Sequence, residues 1–172
     1  MATRHHNISG ELTQELLAAG DGVNVTSISL ANVQKVSKCK VDLYIEKKLT
    51  GKFYLLKTVE LPIGTSLIYS DTKFSNAGGG FGLYIKLTDG NTFTLTGSIN
   101  PTGTNTNVPG TNTLFLSELS VGDEILVSGE TRIINGITSN TAATVSAAWG
   151  SDLANDTSPD CNPTALVDVI IS

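Results

Sequence analysis

The sequence is poor in charged and aromatic side chains. Of 172 residues, 16% are charged and 6% aromatic, whereas 40% are hydrophobic, a share that can fill a globular core. No apolar run approaches the roughly 18 residues needed to cross a bilayer, and residues 1–14 lack the apolar segment of a secretory signal. We therefore expect a globular protein that folds in a cytoplasm and has no membrane partner.

Histidine and cysteine are scarce, and their scarcity limits the chemistry. His5 and His6 are adjacent, so their side chains point apart on an extended chain and cannot share a metal. No Ser/His/Asp set, Cys/His set or phosphate-binding loop is present. The sequence therefore predicts no catalytic residue, no cofactor and no metal site, and we do not expect an enzyme. Cys39 and Cys161 are expected to be reduced, buried thiols, with a disulfide between them as the alternative.

Basic residues are almost absent from the second half of the chain. Residues 1–86 hold ten basic and seven acidic residues (net +3), whereas residues 87–172 hold Arg132 against nine acidic residues (net −8). Specific nucleic-acid binding is not expected, because phosphates require clustered Lys and Arg. The lysines cluster between residues 35 and 52. They indicate either a protected strand edge or a surface that docks on an acidic partner.

Residues 39–61 show the clearest structural pattern. Val41, Leu43 and Ile45 alternate with polar residues and Tyr44, the period of two that is typical of a strand with one buried face. A similar alternation follows the short Leu-Thr-Gly segment at residues 49–51. The stretch therefore predicts a β-hairpin.

Further β patterns surround the hairpin. Residues 97–112, rich in Gly, Thr, Asn and Pro, are predicted to form a long exposed loop, and residues 113–149 a small barrel-like β-module. A lone apolar strand must join a sheet, so residues 165–171 are expected to pair with the strands that precede residue 88. The predicted strands lie within residues 23–30, 39–61, 66–69, 81–88, 123–128, 130–137, 141–147 and 165–171.

These patterns predict an all-β protein. Residues 21–90 and 164–172 are expected to form an antiparallel β-sandwich, and residues 91–163 an inserted loop and small β-module. Residues 1–20 are predicted to form a polar arm and a short helix capped by Ser9. The helix would pack on this subunit or on a neighbour. The predicted partner-binding residues are Leu12, Leu16, Leu17, Lys38, Lys40, Lys47, Lys48 and Lys52.

Two resemblances carry the expectation of function. Residues 52–69, KFYLLKTVELPIGTSLIY, resemble a pattern of small β-sandwich virion proteins in T4-like (cyano)phages, whose sandwich continues through a strand like FGLYIKL and closes with one like ALVDVIIS. Residues 114–149 look like a β-module that recurs in phage fibre, neck and capsid-associated proteins. This chain differs from the shorter relatives in carrying the module inside the sandwich.

The resemblances imply a non-enzymatic structural protein of a tailed-phage virion. Its expected place is capsid decoration or cement, with a neck or tail accessory position next. It would form a homo-oligomer or multi-copy assembly and contact other virion proteins. The alternative is a host-surface or carbohydrate-binding module of a fibre, using Tyr44, Tyr54, Tyr69, Tyr84 and Trp149.

Overall fold

The protein is all-β. The computed structural model describes residues 3–47, 51–70, 73–78, 80–88, 90–153, 155–157 and 159–172. Within these ranges no helix is long and apolar enough to cross a membrane. The elements are β1 Arg4–Ser9, β2 Gln14–Leu17, β3 Asn24–Val25, β4 Ile28–Asn32, β5 Cys39–Lys47, β6 Gly51–Leu61, β7 Ser66–Tyr69, β8 Phe74–Ser75, β9 Phe81–Thr88, β10 Phe93–Thr94, β11 Ser98–Ile99, β12 Asn107–Thr111, α1 Phe115–Glu118, β13 Glu124–Val127, β14 Glu130–Ser139, β15 Ala142–Val145, β16 Asp160–Asn162 and β17 Leu166–Ile171.

The chain divides into two compact units. The first unit contains Met1–Gln34, Lys38–Asp89 and Ala165–Ser172, and the second contains Lys35–Ser37 and Gly90–Thr164. This division regroups the charges. The first unit holds nine basic and nine acidic residues (net 0), and the second holds two basic and seven acidic residues (net −5). The first unit is therefore not positive, although the first half of the sequence is, because Lys35 belongs to the second unit and Asp89 and Asp168 belong to the sandwich.

The first unit is a β-sandwich of two antiparallel four-stranded sheets. The first sheet has the order β1-β17-β4-β7 and the second sheet the order β2-β9-β5-β6. Alternate residues of both sheets, such as Leu30, Leu43, Ile85 and Val169, are at most 1% exposed and form one core. Strand β17 lies in the interior of the first sheet, paired with β1 over six positions and with β4 over five. The last strand of the chain thus joins the sheet formed by its early strands.

The predicted arm and helix at residues 1–20 are wrong. Residues 4–9 form β1 against β17, and residues 14–17 form β2 against β9. A bulge between Glu15 and Leu17 places Leu16 and Leu17 together in the core. These two adjacent buried leucines break the strand period, and Leu12 precedes Leu16 by four residues, which is the spacing of one helix face. Pairing with apolar neighbours overrides the local signal.

The hairpin at residues 39–61 is confirmed, with β5 paired to β6 from Cys39 opposite Leu61 to Lys47 opposite Gly51. Strand β6 has 11 residues and β5 has nine, and two register shifts absorb the difference. At one shift Thr58 adopts a φ of 54°, a left-handed value that is uncommon for a β-branched residue. Most of the predicted turn, residues 48–50, lies outside the described residues.

The second unit is a curled seven-stranded sheet, with the order β10-β16-β13-β14-β15-β12-β11. Its two ends meet, because residues 93–99 pair on one side with β12 and on the other with the chain near β16. Phe93 lies opposite Cys161, Leu95 donates to Pro159 at 2.8 Å, and Ile99 forms a bridge with Asp156. The inside is filled by buried side chains including Phe115, Leu119, Ile125 and Trp149. The predicted barrel-like module is thus present, but it is larger than residues 113–149, because β10, β11, β12 and β16 also belong to its sheet.

The predicted long loop at residues 97–112 is wrong in part. It contains β11, β12 and the connection between them, and Ile99 and Val108 are 0% and 1% exposed. Gly97 has a φ of 82°, and a Cβ there would collide with the carbonyl oxygen of Thr111. Gly97 allows two strands to approach closely. Amino-acid composition alone does not distinguish such a glycine from one in a loop.

Candidate functional site

The outer face of the second sheet carries three tyrosines in register, here called the tyrosine row: Tyr84, Tyr44 and Tyr54. Tyr44 lies opposite Tyr84 on β9 and opposite Tyr54 on β6. The Tyr44 and Tyr84 rings stack with centroids 5.7 Å apart, and Tyr44 and Tyr54 are tilted at 5.4 Å. Such cross-strand aromatic pairs stabilise a sheet. Because of this cover, Tyr44 is only 2% exposed although it points away from the core.

Two lysines lie over the tyrosine row. Lys52 Nζ lies 4.4 Å from the Tyr44 ring centroid, and Lys57 Nζ lies 4.5 Å from that of Tyr54. Hydrogen bonding to Tyr44 raises the pKa of Lys52, and hydrogen bonding to Asp42 raises the pKa of Lys57. Both ammonium groups therefore stay charged at neutral pH. The two ammonium groups occupy ring faces on which a sugar would otherwise stack.

Hydrogen bonds tie the row to its neighbours at both ends. The Tyr84 hydroxyl donates to Glu15 at 2.9 Å, which raises the pKa of Tyr84. At the other end the Asp42 carboxylate accepts the Thr58 backbone N–H at 2.7 Å and the Lys57 ammonium at 2.5 Å. Burial acts to raise the pKa of Asp42, but these two donors and the nearby positive charges lower it overall. The outer face is therefore largely satisfied by its own contacts.

Strand β6 forms one edge of the second sheet. Phe53 and Tyr54 on this strand are 53% and 44% exposed, large fractions for aromatic side chains. The Lys57 and Thr58 bulge and the exposed lysines are features that protect such an edge from unwanted pairing. A sugar or peptide that binds the first unit through aromatic rings would meet Phe53 and Tyr54 first.

The predicted partner-binding residues fall into two groups. Leu16 and Leu17 are 2% and 1% exposed within the core of their own unit, so they cannot form a contact surface, whereas Leu12 is 81% exposed. Lys38 pairs with Glu60 at 2.8 Å on the surface. Lys40, Lys47 and Lys52 are exposed on the hairpin, and Lys48 lies outside the described residues. Exposure therefore leaves Leu12, Lys38 and these three hairpin lysines as predicted contacts.

Of the remaining predicted aromatic residues, Trp149 is 1% exposed in the core of the second unit, and its ring nitrogen donates to the Asn107 carbonyl at 3.2 Å. Tyr69 packs against the core of the first unit. Trp149 therefore cannot bind a ligand at the surface. The partial exposure of Tyr54 and Tyr84 was not predictable from strand alternation. Alternation shows on which face of the sheet a side chain lies, but not which neighbouring side chains lie over it.

The second unit presents a small acidic hollow that sequence reasoning did not find. It has a volume of about 160 Å³, and its lining comprises Thr92, Glu124, Leu126, Thr131, Asp160 and Asn162. Glu124 and Asp160 reach it from the neighbouring strands β13 and β16. Asp160 accepts a hydrogen bond from the Thr94 hydroxyl at 2.9 Å. Among the described residues no three metal-ligating side chains gather in one group.

Asp123 is a structural carboxylate. It is 0% exposed, and it accepts the backbone N–H groups of Ser120 at 2.7 Å and Thr164 at 3.0 Å. Burial, and after it the charge of Asp123, raises the pKa of Cys161, whose sulfur lies 4.0 Å from Asp123. Cys161 and Cys39 are both free and buried, each in the core of a different unit. The structure thus agrees with reduced thiols and not with the disulfide.

Comparisons with known proteins add little to this geometry. No protein-family model and no curated protein matches the chain. A solved structure, "Crystal structure of the T13 IBDV viral particle reveals a missing link in icosahedral viruses evolution", aligns at 9% identity and a TM-score of 0.24. The alignment covers 98% of this chain and 38% of that one. A similarity at this level carries no argument. The fold itself defines an all-β protein with a sandwich and a barrel-like unit.

Proposed function

We propose that this protein is a non-enzymatic structural component of a tailed-phage virion, present in many copies. One observation carries the proposal. The stretches that resemble phage sandwich proteins, residues 52–69, 81–87 and 165–172, are far apart in sequence but supply β6, β7, β9 and β17 of one sandwich. A chance resemblance in three separate segments has no reason to converge on one unit. The stretch that resembles the phage β-module lies in the other unit.

Within this proposal the protein decorates or cements the capsid, with a neck or tail accessory position as the second placement. The sandwich supplies the contact to the particle through Leu12 and the exposed hairpin lysines. A detached N-terminal arm is not part of the anchor, because residues 4–9 are paired in the first sheet. The second unit, with its net charge of −5, faces solvent or an adjacent virion protein.

Mass spectrometry of purified, nuclease-treated particles tests the proposal. We expect peptides from both units at a copy number comparable with other multi-copy virion proteins, and cryo-electron microscopy would then locate them. Absence of the chain from intact particles would sink the proposal.

The contact surface has its own test within the same system. Reversing the charge of two exposed hairpin lysines, in the variant Lys40→Glu/Lys47→Glu, should reduce incorporation into particles. Lys73→Glu/Lys86→Glu is the matched control, since it makes the same charge change on the same unit outside the hairpin. Equal incorporation of both variants would remove the hairpin from the contact.

Carbohydrate or host-surface binding has narrower support. Of the five aromatic residues it requires, Trp149 and Tyr44 are buried, and Lys57 lies over the ring of Tyr54. Glycan-array binding that is lost in Phe53→Ala/Tyr54→Ala would favour it over the virion contact, because these are the exposed rings of β6.

A further inference from the structure

Strand β14 contains the one Asn-Gly dipeptide of the chain, Asn135-Gly136. The dipeptide lies at a register shift: Ile134 pairs with Val145 and Gly136 pairs with Thr144, so Asn135 has no residue opposite it. An extra residue of this kind is left out of the hydrogen-bonded ladder and distorts the strand locally. Asn135 therefore lies in irregular backbone, although it belongs to a strand of ten residues.

The side chain of Asn135 is exposed and unrestrained. Within the described ranges its carboxamide has no hydrogen-bond partner. In the same unit the carboxamide oxygens of Asn105 and Asn140, in contrast, accept the backbone N–H groups of Asn107 at 3.0 Å and Leu116 at 3.1 Å. The Asn135 carboxamide is therefore free to rotate toward the backbone that follows it.

Gly136 leaves the next backbone nitrogen uncovered. Glycine has no Cβ to shield this nitrogen, and its backbone adopts angles that are closed to other residues. The fold also favours glycine here, because a Cβ at residue 136 would lie only 3.0 Å from Thr144 Oγ1. The close approach of β15 thus places glycine directly after an exposed, unrestrained asparagine.

We propose that Asn135-Gly136 is a site of spontaneous deamidation in the folded protein. The backbone nitrogen of Gly136 attacks Cγ of Asn135 and loses its proton to solvent, and the new C–N bond closes a succinimide ring. The Cγ–Nδ2 bond breaks, and Nδ2 takes up a proton and leaves as ammonia. Water then adds to either ring carbonyl and opens the ring to aspartate or isoaspartate. The net reaction consumes one water and releases one ammonia, with no redox change.

The products change both charge and backbone. Each adds a negative charge to a unit whose net charge is already −5. Isoaspartate also inserts a methylene into the backbone of β14, next to Ile134, which is 1% exposed in the core of the second unit. We therefore expect the isoaspartate form to unfold at a lower urea concentration when Trp149 reports on that unit. The reaction requires the second unit alone and does not rest on a role in virions.

Mass spectrometry of the purified full-length chain tests the site. After incubation in native buffer at mildly alkaline pH, peptide fragmentation should show the mass change from amide to acid at Asn135. Asn140 is the internal control, because it is also exposed in the second unit but its oxygen is held by Leu116 and Thr141 follows it. Asn140 should react at least several-fold more slowly. Enzymatic methylation of isoaspartate should detect the second product in the same samples.

Two variants and an unfolded reference complete the test. Asn135→Gln should nearly abolish conversion at this position, because its longer side chain must close a larger ring. Gly136→Ala should slow conversion about tenfold, the effect of a barrier about 1.4 kcal/mol higher. Wild-type chain unfolded in urea gives the rate of the same dipeptide without the strand, and the Trp149 signal checks that each variant folds.

Two results would overturn the inference, and neither depends on the fold of a variant. One is an intact Asn135 in the folded chain at the time when the unfolded chain is fully converted. The other is conversion of Asn140 as fast as that of Asn135.

Discussion

At the scale of single residues, Asp42 explains how β6 accommodates a left-handed threonine. Its carboxylate accepts hydrogen bonds from the Thr58 backbone N–H and the Lys57 ammonium. Both of these donors in the bulge therefore have an acceptor. The pairing fixes the position of Lys57 over Tyr54 and thereby one end of the tyrosine row. The sequence alone gave no means of finding the bulge, because the bulge depends on the length mismatch between β5 and β6.

Replacement of Asp42 by asparagine should destabilise the first unit by roughly 1 kcal/mol, since a charge-assisted acceptor becomes a neutral one. The folded-state pKa of Asp42 is lowered, so its contribution is present above the ordinary value of 3.8 and is lost as pH falls through the folded value. Urea unfolding as a function of pH should therefore show a shallower acid decline in Asp42→Asn than in wild type. A parallel decline in both proteins would contradict this account.

His6 provides a second, separate pH window. Its Nε2 atom is buried without a hydrogen-bond partner, and burial, followed by the charge of Arg4, lowers the pKa of the side chain from 6.5. A lowered histidine pKa means that the unfolded chain binds the proton more tightly, so stability is full above pH 6.5 and declines below it. His6→Leu should remove this decline below pH 6.5. His5→Leu, on the exposed side of β1, is the control; the idea fails if both variants decline like wild type.

At the scale of elements, strands with strong alternation could be predicted from the sequence, whereas bulged or short strands could not. Strands β5 and β9 have a buried residue at most second positions, and the two strands are neighbours in the sheet. Strand β1 consists mostly of polar residues, and β2 contains two adjacent leucines, so neither shows the alternation of a strand. Both are strands because they pair with β17 and β9. Strand β12 includes Pro109 and Gly110, residues that favour turns when no partner is considered. Pairing between distant segments decided these cases.

The corrected N-terminal region makes a quantitative prediction. Leu16→Ala should destabilise the first unit by roughly 2–4 kcal/mol, because it opens a cavity in a closed core. Leu12→Ala, at a side chain that is 81% exposed, should change stability by no more than about 0.5 kcal/mol. Urea denaturation followed by tyrosine fluorescence measures both. Similar, small effects of the two substitutions would mean that Leu16 is not in the core.

At the scale of the whole molecule, the fold class could be predicted from the sequence, whereas the contact surfaces could not. The fold class and the return of the final strand to the early sheet followed from a simple requirement, since the apolar segment at residues 165–171 needs neighbours on both sides. The candidate contact surfaces could not be predicted in the same way. Leu12 and Leu16 are the same residue type, but Leu12 is exposed and Leu16 is buried, and this difference is visible only in the assembled sheets.

The sandwich of the first unit is completed by β17, which the chain reaches only after it has formed the second unit. Val167, Val169 and Ile171 are 0–1% exposed, and burial of each contributes about 1.5–3 kcal/mol. Together they account for much of the roughly 5–15 kcal/mol that holds a domain folded. Loss of β17 also leaves β1 and β4 without their shared neighbour.

The chain carries its own reporters for a direct measurement. All four tyrosines lie in the first unit, and the single tryptophan, Trp149, lies in the second. Deletion of residues 165–172, which retains Thr164 and its hydrogen bond to Asp123, should abolish the near-ultraviolet circular dichroism of tyrosine. The buried emission and cooperative unfolding of Trp149 should persist. Asp168→Asn in the full-length chain is the control and should keep both signals. A truncated chain that retains the tyrosine signal would contradict the account.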